Sequence, residues 1–466
     1  MDSPPALAAL GCSRLLGLSA QGQATLRRAV EAEARRRRFF HRRTAGARPT
    51  PHPIALTPFV IPKRVIPTLR RLAGAVHRFQ AQAPRLYLEG VGNFRDLCPL
   101  DETTAAWLFR YGRPGRDGRD LLIRLDVGLG LPGSEMPPVL YETNATALAG
   151  LFNHSVGVSM LRRIVFPRLF ARRDLRGLLD PPDLLDLAVH WVTDAARRLG
   201  LRRRFGVAFV EDPGPGEGYS ELPQIAASFR ARGVRVRHGA PGALRFRKGG
   251  VFLHGQAVDL VYRDLPFEDL GAPPRSNERL AGFVELLKQD AVVPGFSGEF
   301  DHKGILECLT SEAYRHVFPA GIARLLRQCV PWTRVLWERK TESPTGATTD
   351  LLGYARAHKD RLLIKPNQGS GGEGILLGRE ASRARWEQRL ERAVREAGAW
   401  VVQERAPAIE RPMAYLQNGR FHVAPCYASL GLFYGAARLG LHCRVSRVPV
   451  VNVGKGGALA CVFVAE

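Results

Sequence analysis

Leu362 to Gly378 reads LLIKPNQGSGGEGILLG. Leu362, Leu363 and Ile364 form a short apolar run of the kind a buried strand shows. Lys365-Pro366 ends it, because proline cannot donate to a ladder. Gly369, Gly371, Gly372 and Gly374 then crowd a short loop with Ser370, and Ile375, Leu376 and Leu377 resume the strand pattern. Glycines at this density let backbone N–H groups turn inward towards an anion. A lysine just ahead supplies a compact positive charge for a phosphate. The order strand, glycine loop, strand excludes the phosphate loop of P-loop NTPases, which places Gly-Lys-Ser/Thr at a helix start. It excludes the Rossmann fingerprint as well, where a helix opens after the glycines. Taken alone, an ordinary glycine-rich hairpin would look the same, so the reading depends on residues elsewhere in the chain.

Two stretches upstream supply the acids. DLLIRLDVGL and VLYETNA read as strands separated by a Gly/Pro-rich loop, with Arg124 and Asp126 on the first and Glu142 and Asn144 on the second. Residues two apart on a strand share a face, so pairing of the two strands would gather all four side chains on one patch. Two carboxylates and an amide oxygen are hard ligands suited to Mg²⁺, and an adjacent arginine suits a phosphate. A surface ion pair of Arg124 with one of the acids is the plainer alternative.

The rest of the chain sets these motifs in order. Residues 21–43 read as a helix carrying an arginine block that a solvated face would explain. Residues 48–67 hold six prolines and read as an extended connector. RLYLEG after Pro84 reads as a strand, and DETTAAWLFRYG as a helix capped by Asp101 or Thr103. Strand–helix–strand order from RRFGVAFVED (203–212) to AVDLVYRDL (257–265) implies a small parallel sheet. Lys303 lies at the start of a helix, WVVQERA is a strand containing Gln403 and Glu404, and Asn418-Gly419 is a hairpin turn. Arg444, Arg447, Asn452 and Lys455 add anion-binding side chains near the C-terminus.

Composition bounds the function class. The net charge is +24 over 466 residues, carried mostly by arginine, and 45% of residues are hydrophobic. A basic balance invites an anionic partner, yet no base-reading motif accompanies it. Seven cysteines without CxxC spacing argue against a disulfide framework or a zinc site. No apolar run reaches the roughly 18 residues a membrane helix needs. The expectation is a soluble, cytoplasmic enzyme, with nucleic acid disfavoured and no membrane partner.

Together, Arg124-x-Asp126, Glu142-x-Asn144-Ala145, Lys303, Lys365-Pro366 with its glycine loop and Val401-Val402-Gln403-Glu404 resemble the ATP-grasp superfamily. The metal pair precedes the lysines, which is similar to the circularly permuted branch, including the synthetase domain of glutathionylspermidine synthase. The resemblance implies an α+β / α/β fold. Its expected parts are a basic helical N-terminal extension (1–83), a metal-binding part of the grasp core (84–164) and an inserted small α/β, pre-ATP-grasp-like domain (165–295). A lysine and glycine-loop part (296–405) and completing C-terminal strands (406–466) follow.

It also implies roles. Asp126, Glu142 and Asn144 would hold Mg²⁺. Arg124 would face the reacting phosphoryl group, and Arg444 joins it as a catalytic expectation. Lys303 and Lys365 would contact ATP phosphates, with Lys340 competing for the first lysine role. Gly369, Ser370, Gly371 and Gly372 would close over the phosphates, and Gln403 and Glu404 would border the adenine and ribose. The implied reaction is ATP- and Mg²⁺-dependent amide formation from a small-molecule or peptide carboxylate and an amine, through an acyl phosphate. A phosphotransferase on the same fold and a non-catalytic basic anion- or RNA-binding protein remain as alternatives, and homo-oligomerisation is left open.

Overall fold

The computed structural model describes residues 4–41, 49–113, 121–130, 136–201, 204–212, 220–274, 279–369, 371–407 and 409–466. Three groups of strands organise it. The first in chain order begins with β1 (Ile54–Ala55), β2 (Ile123–Gly128) and β3 (Val139–Asn144). The second is β4 (Gly206–Val210), β5 (Arg235–Gly239), β6 (Leu260–Arg263) and β7 (Val292–Val293). The third is β8 (Thr333–Val335), β9 (Leu362–Pro366), β10 (Leu376–Leu377) and β11 (Trp400–Glu404). The chain then returns to the first sheet with β12 (Glu410–Gln417), β13 (Arg420–Gly435), β14 (Arg438–Ser446) and β15 (Ala458–Ala460).

The first sheet runs in the order β12-β1-β15-β14-β13-β2-β3. Its axis is the long β13. The first half of β13 pairs with β12 across the Asn418-Gly419 turn, and its second half pairs with β2. β2 is buried along its whole length, as a strand covered on both faces must be. β2 and β3 pair antiparallel with Arg124 opposite Asn144 and Asp126 opposite Glu142. That register places the four polar residues as the alternation of the sequence requires.

The second sheet is parallel throughout, in the order β7-β6-β4-β5. The helix Leu222–Ala231 links β4 to β5, with Leu222, Ile225, Ala226 and Phe229 buried. The third sheet, β8-β11-β9-β10, is antiparallel. Beneath it Trp332, Leu336, Trp386, Leu390, Trp400 and Val402 form a core of their own. The basic helix Arg383–Arg395 supplies Trp386, Leu390 and Ala393 to that core, one face of a 3.6-residue period, and leaves its arginines outside.

Three local readings are corrected. The proline-rich stretch 48–67 is not a free connector. Ile54 and Ala55 insert between β12 and β15, and Phe59–Pro62 pairs in parallel with Val462–Ala465. Pro53 and Pro58 precede these two short strands and Pro62 is the last residue of the second, the strand-end positions where proline is tolerated. The stretch after Pro84 is a helix, Ala83–Glu89, not a strand. Pro84 falls in its first turn, where an N–H would be unpaired anyway. Gly90 ends it in the left-handed region at φ +64°.

The helix expected over residues 21–43 ends at Arg36, because Phe39 turns into the core and Phe40–His41 is a short strand. Asp101 caps the helix Glu102–Tyr111, accepting from Thr104 N at 2.8 Å. The helix Ala20–Arg36 buries Leu26, Val30 and Ala34 and exposes most of its arginines. All seven cysteines are buried and unpaired. Among the described residues no helix is long and apolar enough to cross a membrane.

Candidate functional site

The acidic end of β2–β3 and the lysine of β9 face one another across a cleft of about 460 Å³. Asp126, Tyr141, Glu142, Lys365, Gly371, Gly372, Gln403 and Arg444 are among the residues lining it. Leu363, Ile375, Leu377 and Ile409 line it as well. A wall with both charged and apolar side chains suits a ligand that carries both an anionic and an apolar part.

Asp126 is buried and held from three sides. Arg124 donates from Nε to Oδ1 at 3.1 Å and from Nη2 to Oδ2 at 3.4 Å. Arg444 Nη2 reaches Oδ2 at 2.6 Å, and Asn144 Nδ2 reaches it at 3.4 Å. Burial pushes this carboxyl up, but Arg124 and Arg444 outweigh it and hold it well below the usual carboxylate range. Burial likewise opposes the charge on Arg444, and Asp126 holds it above its ordinary value. Arg444 Nε is buried without a partner, so this guanidinium keeps unused donor capacity at the cleft wall.

Lys365 is 4% exposed and donates to the Tyr141 carbonyl at 2.8 Å. Burial brings its pKa down to about 7; Lys303 adds to the shift, and Glu142 and Asp126 oppose it. Lys303 Nζ lies 3.7 Å from Glu142 Oε2 and donates to the Gly369 carbonyl at 3.0 Å. Thus one contact ties the second lysine to the acidic hairpin and another ties it to the glycine loop. Burial raises Asp301, two residues ahead of Lys303, to about 7 against the pull of that lysine.

The glycine loop is fixed where it meets the C-terminal segment. Gly371 and Gly372 both have positive φ, at +77° and +67°, a region that disfavours any side chain. A Cβ on Gly372 would run into Val450 Cγ1. Lys455 Nζ donates to the Gly372 carbonyl at 3.3 Å.

Most of the expected residues come together, and some take different places. Arg124 does not line the cleft: besides Asp126 it donates to the Ala149 carbonyl at 3.2 Å, and it braces the carboxylate. Asn144 braces it in the same way, with its amide on Asp126 and on the Arg124 carbonyl. Gln403 lines the cleft and is tied through Nε2 to Thr333 Oγ1 at 2.8 Å. Glu404, next on the strand, faces a neighbouring cavity. Lys340 is exposed on a two-stranded hairpin and lines neither. Gly369 is exposed at φ +104°, and Ser370 lies outside the described residues.

Two residues of the site escaped the sequence reading. Asn367 is 1% exposed; its Oδ1 accepts from Gly304 N at 2.8 Å, while Nδ2 donates to Leu97 O at 2.9 Å and Gly398 O at 2.8 Å. It fastens the helix Gly304–Thr310, and with it Lys303, to the end of β9. Its only signal is its place inside the glycine-rich stretch. Tyr141 offers Lys365 a carbonyl and the cleft a ring, and burial pushes its hydroxyl up to about 12. Adjacency to Glu142 is the sole hint.

The donor set fits Mg²⁺. Asp126 Oδ1 accepts one hydrogen bond from Arg124, and the Glu142 carboxylate lies beside Asp126 and 3.7 Å from Lys303 Nζ, so the two acids face one spot. Magnesium is usually held by one or two carboxylates together with phosphates and water. Among the described residues no group of three His, Cys, Asp or Glu side chains forms a metal cluster.

The sequence matches no protein-family model and no curated protein. In structure, the chain is similar to a glutathione synthetase-like effector, GSS30, from Globodera pallida. The TM-score is 0.63 at 11% identity, over 96% of this chain and 98% of that one. This chain shares that fold. A D-alanyl-alanine synthetase A from Vibrio cholerae also aligns, at 11% identity over 49% of this chain and 67% of that one. Its TM-score of 0.22 is too low to bear on the architecture.

Proposed function

We propose that the protein is an ATP- and Mg²⁺-dependent ligase that joins a carboxylate to an amine and releases ADP and phosphate. The observation that carries this reading is the shared cleft: Asp126, Glu142 and Arg444 on one sheet face Lys365 and the glycine loop on another. The order of the pieces, acids before lysines, supports a circularly permuted ATP-grasp arrangement. The parallel sheet β4–β7 is read as an inserted unit beside it. A small-molecule or peptide carboxylate and amine are the substrate classes.

Phosphoryl transfer asks the protein mainly for alignment and charge neutralisation. Lys303 and Lys365 hold the phosphates from one side, and the spare donors of Arg444 meet the transferred group from the other. Asp126 and Glu142 would hold Mg²⁺ beside Asn144. The metal, when bound, supplies charge neutralisation between the phosphates. Arg124 keeps Asp126 ionised and oriented. The slot of Leu363, Ile375 and Leu377 takes the base. The carboxylate gains the γ-phosphoryl group as an acyl phosphate; the amine then forms the C–N bond as the P-bearing oxygen leaves with its electron pair.

The test is release of ADP from ATP and Mg²⁺ in the presence of mixed amino-acid and short-peptide acceptors. Glu142→Gln and Arg444→Met are expected to lower the rate about 100-fold, the usual size of losing one charge-stabilising group. An unchanged rate in both variants would overturn the assignment.

A further inference from the structure

A second cavity, of about 930 Å³, lies on the far side of the hinge segment that follows β11. Arg405, Ala406 and Pro407 line both this cavity and the nucleotide cleft. The division begins one residue earlier. Gln403 lines the cleft and Glu404 the cavity, as successive residues of a strand point to opposite faces.

The cavity wall carries a surplus of cations. Arg315, Arg327, Arg334, Arg361 and Arg405 line it, against the carboxylates of Glu312, Glu342, Asp360 and Glu404. Three of those acids have partners already. Glu312 pairs with Arg315 at 2.9 Å, Glu342 lies 3.9 Å from Arg334, and Asp360 pairs with Lys359 at 2.9 Å. Arg327, Arg361 and Arg405 meet no carboxylate and donate no side-chain hydrogen bond among the described residues. Three uncommitted guanidiniums therefore face a single uncommitted acid, Glu404.

Part of the wall is rigid. Arg334 is 3% exposed, donates to Thr341 Oγ1 at 2.9 Å and to the Thr333 carbonyl at 2.8 Å, and lies 5.3 Å from the Trp332 ring. A fixed, buried cation at the base and free guanidinium forks at the rim match the geometry of oxyanions, which accept two N–H donors at once. The volume is that of a site for a small molecule.

We propose that this cavity is a second binding site, for a small molecule bearing two or more phosphate or carboxylate groups. It is separate from the nucleotide phosphates, and it meets the cleft along Arg405–Pro407. Binding there and binding in the cleft would then be linked reciprocally.

The test is calorimetric titration of the full chain with inorganic tripolyphosphate, and in parallel with citrate. The protein is compared as wild type, Lys365→Met, Arg327→Ala/Arg361→Ala and the triple variant. Lys365→Met weakens any tripolyphosphate binding in the cleft and should leave one anion site. That site should lose at least about tenfold in affinity in the triple variant, since two charge-assisted forks are removed. The same loss at one of two sites is expected from the double variant alone, so the result does not depend on Lys365→Met folding well. Tripolyphosphate binding of this pattern supports a phosphate ligand, and citrate binding of this pattern a carboxylate one. Absence of binding by both anions, or binding insensitive to Arg327→Ala/Arg361→Ala, overturns the proposal. Such failure would leave Lys365-dependent nucleotide binding untouched, so the reading of the cleft stands or falls separately.

Discussion

At the residue scale, Lys365 has a measurable signature. Its ammonium is buried against the Tyr141 carbonyl, with a pKa brought down to about 7. Below that pH the folded and unfolded chains both carry the proton, and the cost of the buried charge is fully present. Between about 7 and the ordinary lysine value near 10.4, the unfolded chain holds a proton the folded one lacks. The contribution of this residue to stability therefore rises with pH across that window. An anionic nucleotide bound beside Lys365 would reverse the shift and restore the proton. Titration of ATP at pH 8, in buffers of different ionisation enthalpy, should show uptake of up to about one proton per nucleotide. Little uptake is expected at pH 6, and none at either pH in Lys365→Met. Equal uptake in wild type and variant would remove Lys365 from the phosphate site. The side chains that were legible in sequence are those whose chemistry is their signal: Arg124, Asp126, Glu142, Lys303, Lys365 and Arg444. Asn367 and Tyr141 were not, because one works through a buried amide and the other through a backbone carbonyl, and neither leaves a mark at the level of residue type.

At the element scale, the glycine flap depends on the helix that follows it. Arg389, on Arg383–Arg395, donates from Nη1 to the Gly374 carbonyl at 2.6 Å and lies 4.4 Å from the centre of the Trp400 ring. Gly374 itself has φ +70°, and a Cβ there would meet Pro366 Cγ at 2.9 Å. The far end of the flap is thus pinned to a core residue through one guanidinium. Arg389→Ala should weaken nucleotide binding about tenfold, close to 1.4 kcal/mol for one charged hydrogen bond on a partly exposed group. The slower step in a rapid-mixing experiment should be dissociation, which becomes faster. An unchanged dissociation constant would show that the flap closes without this latch. The strands bearing the motifs were readable because period two and the Asn418-Gly419 turn act locally. The helix Ala83–Glu89 was not, because RLYLEG has too few residues to separate a helical from an extended period. Arginines in a basic helix read as a solvated face, and most are; Arg389 differs only because the flap folds back onto it.

At the scale of the whole molecule, early and late segments of the chain pair with each other in two sheets. β1 sits between β12 and β15, and Phe59–Pro62 pairs with Val462–Ala465. Contacts this distant in sequence leave no periodic trace, and prolines between short strands look like a connector until their partners are known. Removing residues 1–62 would open the sheet between β12 and β15 and expose the apolar edge of Val462–Ala465. Such a truncated chain is expected to lose its cooperative thermal transition. A truncated chain that melts in one sharp step would mean that the first strands are dispensable.

Equilibrium titration of ATP, with and without Mg²⁺, against the wild-type chain, Glu142→Gln and Lys365→Met asks whether the two facing walls hold a single ligand. The geometry predicts one nucleotide per wild-type chain, bound about tenfold more tightly with Mg²⁺ than without it. That metal dependence should vanish in Glu142→Gln, and the affinity should fall in Lys365→Met. ATP binding that is absent, or that is indifferent to both substitutions and to the metal, would contradict a magnesium-nucleotide cleft between β3 and β9.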